Sequence, residues 1–122
     1  LGIAIGDTLF YSQIVHYENN VPVQIEDRFV NPETAPDYLR QVLNKQTPYT
    51  YLMDIAPLTA GEHRVEAISA SDEQRHLLQL EEHEPCLLIH RRTWSGSRVV
   101  TSARLIYPGS RYQLFGRFTS HG

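Results

Sequence analysis

The stretch HYENNVPVQIEDRFVNP, His16 to Pro32, lies without a gap over RTWSGSRVVTSARLIYP, Arg92 to Pro108. Few residues are identical, among them Arg28 with Arg104 and Pro32 with Pro108, but the layout repeats. Each copy has a strand ending in charged or aromatic residues, a tight Asn-Asn or Ser-Gly-Ser turn, then a Val-rich strand stopped by proline. Each copy therefore predicts a β-hairpin. Two similar hairpins in one small domain are expected to face each other, and a cleft between them is a natural holder for a small ligand.

The surrounding sequence supplies more elements. TLFYSQIVHYE (8 to 18) and VPVQIEDRFV (21 to 30) are the two strands of the first hairpin, and Asn19-Asn20 between them tolerates positive φ. Ala35 to Lys45 places Tyr38, Leu39, Val42 and Leu43 at helical spacing with Pro36 near the start. Thr47-Pro48 reads as a cap and first-turn proline of a short helix through YTYLMDIA, stopped by Pro57. HRVEAISA (63 to 70) alternates as a strand, and Ser71 with Gln74 is a capping-box pattern opening the helix SDEQRHLL. CLLIHRRTW (86 to 94), RVVTSARLIY (98 to 107) and YQLFGRF (112 to 118) follow as a meander. Tight turns make such strands antiparallel, and helices arriving in separate blocks are expected to cover one side. The class is α+β, with an antiparallel sheet of five or six strands.

Register decides which side chains share a face. A three-residue loop of Glu18, Asn19 and Asn20 puts Val15 and Tyr17 with Val21, Val23, Ile25 and Phe29. The opposite face then collects Ser12, His16, Gln24, Glu26 and Arg28. A two-residue loop would instead strand His16 among Val23 and Ile25, so the three-residue loop is preferred. The same offset in the second hairpin sets His90 and Arg92 beside Val100, Ser102 and Arg104. The plainest reading of the polar face is the wet side of a half-buried sheet. Amphipathic helices covering part of that side would turn it into a cleft.

Composition bounds the function. The 122 residues, 41% hydrophobic and 20% charged, suit one domain with its own core. A formal net charge of −3 and no basic run give no footprint for a phosphate backbone, so this stretch by itself is not expected to bind DNA. One cysteine, Cys86, cannot make an internal disulfide; it reads as a small buried residue in a reducing compartment, and the cytoplasm is expected. No charged-then-apolar leader or membrane-length apolar run is present. The chain starts at Leu1 without methionine and reads as a piece of a longer protein. No Gly-x-Ser-x-Gly elbow, Gly-rich phosphate loop or His-Glu-x-x-His occurs, and His63, His76, His83 and His90 lack the close pairs of a zinc site. Neither a cofactor nor a metal is expected.

Four segments carry a resemblance: IVHYENNVPVQIEDRFVNPETAPDYL, TPYTYLM, LLIHRRTW and ARLIYPGSRY. They look like the effector-binding domain, called UTRA, of the histidine-utilisation repressors in the HutC branch of the GntR superfamily. The resemblance spans essentially the whole chain. It implies a chorismate lyase-like fold and a preceding winged-helix DNA-binding domain, which would lie upstream of Leu1. It also implies a homodimeric repressor of histidine-degradation genes, released from operator DNA by urocanate. Relatives that bind phosphorylated sugars have an Arg-x-Arg pair where this chain has Ile14 and His16, which speaks against a phosphate site. The family's pocket glutamate, ten residues on, matches Glu26. Its Ser-x-Tyr matches Thr47 and Tyr49, and its C-terminal tyrosine matches Tyr107.

Urocanate has a carboxylate, an imidazole and a flat linker, so it needs a cation, a polar partner and aromatic walls. The expected set is Arg92 or Arg104 on the carboxylate, Glu26 with His16 on the imidazole, and Tyr49 and Tyr107 around the plane, with Ser102 beside the arginines. Singly, each has a bland alternative: Arg28 and Arg104 as solvated strand residues or partners of Glu26, and Tyr49 as helix packing. Two rival classes stand beside this reading. One is a lyase of chorismate lyase-like fold; the other is a dimerisation module without a ligand.

Overall fold

A computed structural model of the chain describes residues 9–41, 47–55 and 58–120. Five strands, β1 (Phe10–Glu18), β2 (Val21–Val30), β3 (Ala60–Ser69), β4 (Pro85–Ser95) and β5 (Arg98–Pro108), form one antiparallel sheet in the order β1-β2-β5-β4-β3. Three helices accompany it: α1 (Tyr38–Gln41), α2 (Pro48–Ile55) and α3 (Asp72–Leu78). The expected α+β class holds. None of the described helices is long and apolar enough to cross a membrane.

The two hairpins lie edge to edge, not face to face. Their second strands, β2 and β5, pair directly, so the repeat builds one continuous sheet and no cleft opens between its copies. This placement also removes the expected sixth strand. β5 is flanked by β2 and β4, so a following hairpin strand would find no open edge. Residues 112–120 accordingly carry no strand, and Leu114, Phe115 and Phe118 stand exposed.

The first hairpin turn has two residues. Asn19 and Asn20 both have positive φ, 50° and 65°, the geometry of a tight primed turn whose twist suits the flanking strands. Glu18 pairs with Val21 across it. A β-bulge between His16 and Tyr17 then shifts the register by one residue, so that His16 opposes Gln24 and Val15 opposes Ile25. From His16 and Gln24 onward the expected sidedness is thus reached by a two-residue turn and a bulge; next to the turn Tyr17 opposes Pro22 and Val21 opposes Glu18, not the expected grouping of Tyr17 with Val21 and Val23.

The helices cover both faces, at different ends, and not one side as expected. On one face Tyr38 of α1 and Tyr51 and Leu52 of α2 pack with Val30, Phe10 and Leu58. On the other, Leu78 of α3 packs with Ile25, Cys86, Leu88 and Ile106. Fully burying each such aliphatic side chain stabilises the fold by about 1.5–3 kcal/mol. The ends of α2 and α3 follow sequence rules. Thr47 Oγ1 accepts from the Thr50 amide at 3.2 Å, and Ser71 with Gln74 completes the capping box in both directions. The helix expected over Ala35 to Lys45 is seen as Tyr38–Gln41, with Pro36 in the preceding turn; residues 42–46 and the Pro57 stop lie outside the described residues.

Candidate functional site

Across the five strands the register lines up side chains in rows on the face that carries α1 and α2. One row is Ser12, Arg28, Ala103, Arg91 and His63; its neighbours are Ile14, Glu26, Leu105, Ile89 and Val65 on one side, and Phe10, Val30, Thr101, Thr93 and Gly61 on the other. Glu26 is 5% exposed and Arg28 4%, so this polar face is not the wet side of the sheet. α1 lies over it: the Tyr38 and Ser12 hydroxyls share a hydrogen bond at 2.8 Å.

Glu26 is the centre of the cluster. Its Oε1 meets His16 Nε2 at 3.0 Å, and its Oε2 accepts from Arg28 Nε at 2.8 Å. Arg28 Nη1 also donates to Thr101 Oγ1 at 3.0 Å. Burial alone pushes the Glu26 carboxyl up, but the His16 hydrogen bond together with the charge and hydrogen bond of Arg28 outweighs it, and the net shift is downward. The carboxylate therefore stays ionised at neutral pH. Each of its oxygens keeps a second lone pair for a further donor.

Tyr107 stands at the edge of this cluster. Its hydroxyl accepts from Gln24 Nε2 at 2.6 Å, and its ring stacks on Tyr112 with centroids 3.8 Å apart. Burial raises the phenol pKa, as do Tyr112 and Glu26, while Arg91 and the Gln24 bond oppose the rise.

The expected site residues divide. His16, Glu26 and Tyr107 come together on one face. Arg92, Ser102 and Arg104 lie on the opposite face, with α3, and do not converge with Glu26. The cause is register: Arg28 opposes Ala103, so Arg104, one residue on, points the other way, toward Asp27 and His90. Arg92 opposes Ser102 and sits over the Trp94 ring at 5.6 Å. Thr47 is occupied as the cap of α2. Tyr49 stands on α2, and its side chain lies outside the described residues. Sequence reasoning gave Tyr38 to helix packing, although the acid, hydroxyl and aromatic groups all converge here. Of the two readings of Arg28, solvated strand residue or partner of Glu26, the structure shows the second, in keeping with the period-2 spacing of Gln24, Glu26 and Arg28. For Arg91 no local signal exists, because its face is set by the pairing of distant strands.

The family model described as "UTRA domain" matches residues 1–113. The chain belongs to the UTRA family. A histidine utilization repressor of Pseudomonas putida is 64% identical over 114 residues, which cover 93% of this chain and 46% of the relative. The chain spans about half the length of the curated relatives it matches. Among solved structures, the C-terminal domain of histidine utilization repressor from Pseudomonas syringae pv. tomato is 61% identical with a TM-score of 0.91, covering 98% of this chain and 85% of that one. A GntR-family transcriptional regulator from Bacillus cereus, at 16% identity, has the same fold with a TM-score of 0.83, over 98% of this chain and 85% of that one. This UTRA domain has a chorismate lyase-like fold, and the curated relatives it matches are named as repressors, not as enzymes.

Proposed function

We propose that this UTRA domain senses urocanate for a repressor of histidine-degradation genes. The observation that carries the reading is the buried, ionised Glu26 held between His16 and Arg28, with the Tyr107 ring beside it. A buried carboxylate with spare lone pairs suits an imidazole N–H, and the aromatic ring suits a flat conjugated ligand. Ile14 and His16 replace the arginine pair of sugar-phosphate binders, which favours a ligand without phosphate. Tyr49 on α2 is the second candidate wall.

In this reading the domain follows a winged-helix headpiece, and the whole repressor is a cytoplasmic homodimer whose symmetry matches a two-fold operator. Urocanate weakens DNA binding only by favouring the arrangement of headpieces that DNA disfavours, a coupling of about 1–3 kcal/mol. A thermal-shift panel tests the ligand. Urocanate at about 100 times its dissociation constant adds roughly 2.7 kcal/mol to the stability of the native state. A melting temperature moved by urocanate and not by equal concentrations of histidine or chorismate is the expected result. A flat response to all three contradicts the reading and favours a dimerisation module.

A further inference from the structure

On the same sheet face, toward β3, lies a depression of about 630 Å³ lined by Leu58, Gly61, His63, Arg91 and Thr93. Arg91 donates from Nε to His63 Nε2 at 2.8 Å, so its bond goes to an uncharged acceptor. Among the described residues no carboxylate lies within salt-bridge distance of Arg91. Arg91 is half-buried, and the buried arginine of this face, Arg28, is already neutralised by Glu26. Beside Arg91, Thr93 is 7% exposed and its hydroxyl has no hydrogen-bond partner among the described residues. Its methyl, not its hydroxyl, faces Gly61, which adds no side chain of its own above it. Rotation about χ1 exchanges the two groups with little change of shape. Thr93 opposes Thr101, the residue that Arg28 holds, so the lining of this depression and the Glu26 cluster are neighbours across β4 and β5.

We propose that Arg91 is the cation that receives the anionic end of the effector, with the Thr93 hydroxyl turning outward as a second donor. This rests on the effector reading above. The Arg28 and Arg91 strands are two interstrand spacings apart, about 10 Å. Glu26 lies one row off Arg91 along the strands, so a ligand with an imidazole at one end of a short rigid linker and a carboxylate at the other spans diagonally between the two side chains. Tyr107, on the strand between them, stands one row beyond Glu26 on the side away from Arg91, and so flanks the ring end of such a ligand. The arrangement selects against uncharged imidazoles, because they leave the guanidinium unanswered.

The test is calorimetry of this chain with urocanate and with its methyl ester, which keeps the ring and linker but not the charge. The parent is expected to bind urocanate about 10- to 100-fold more tightly than the ester. Arg91→Gln is expected to shrink that ratio to within about 2-fold, and Arg91→Lys to restore part of it. Thr93→Val removes a hydroxyl that has no partner in the free domain. It is expected to leave the ligand-free melting temperature unchanged or raised while weakening urocanate about 3- to 10-fold. An undiminished ratio in Arg91→Gln, or equal binding of both compounds by the parent, overturns the proposal while leaving the effector reading in place. Binding of neither compound by the parent removes both.

Discussion

Arg28 reaches back along its own strand to Glu26, Nε to Oε2 at 2.8 Å, and the two side chains are 5% and 6% exposed. Residues two apart on a strand share a face, so the pair needs no turn or helix to form it. Burying both charges is expensive, and hydrogen bonds from His16 and to Thr101 offset that desolvation. Removing one partner leaves the other charge uncompensated. Arg28→Met is therefore expected to destabilise the domain by about 3–5 kcal/mol. The double variant Glu26→Gln with Arg28→Met should cost clearly less, which urea unfolding of the three proteins measures.

The same carboxylate makes stability depend on pH. The folded-state pKa of Glu26 is depressed below its ordinary 4.5, so its contribution is fully present above that value and is lost as pH falls through the lower, folded pKa. Melting temperatures of the parent and of Glu26→Gln between about pH 3 and 6 check this. The parent should lose more stability than the variant toward the acid end.

Arg92 and Arg104 provide a control that the sheet register defines. Both lie on the face of α3, away from Glu26. Arg92→Ala and Arg104→Ala should leave urocanate binding within about 2-fold of the parent, a free-energy difference under about 0.5 kcal/mol. A loss of 10-fold or more, roughly 1.4 kcal/mol, in either variant would restore the opposite-face assignment.

The hairpin turn is the local support of the His16–Glu26 bond. Asn20 has φ 65°, a conformation that β-branched residues resist. Asn20→Val is expected to lower stability by about 1–2 kcal/mol, and Asn20→Gly to leave it nearly unchanged. Thermal unfolding distinguishes the two.

Local signals were legible in the sequence wherever neighbours decide the structure. The Thr47 cap and the Ser71/Gln74 capping box act within a few residues and appear as expected, and the Asn19-Asn20 turn stands where expected though with two residues in place of three. What stayed hidden is non-local. β5 pairs with β2 on one edge and with β4 on the other, and this pairing alone denies YQLFGRF its place in the sheet. The same pairing selects Arg91 over Arg92 for the Glu26 face, a choice one residue wide that no pattern within β4 records. The bulge at His16 compensates a turn one residue shorter than expected, so the sidedness beyond it agrees with the expectation while that of Tyr17 and Val21 beside the turn does not. Burial of the polar face depends on α1 and α2 coming to rest over it. Amphipathic spacing announces such a partner surface without naming which one.

The most direct measurement is the affinity of urocanate for the parent and for Glu26→Gln, by calorimetry near neutral pH. The ring donor meets a charged acceptor in the parent and a neutral one in the variant, so binding should weaken by about 10-fold or more. Equal affinity of the two proteins would take Glu26 out of the effector site and contradict the account at its centre.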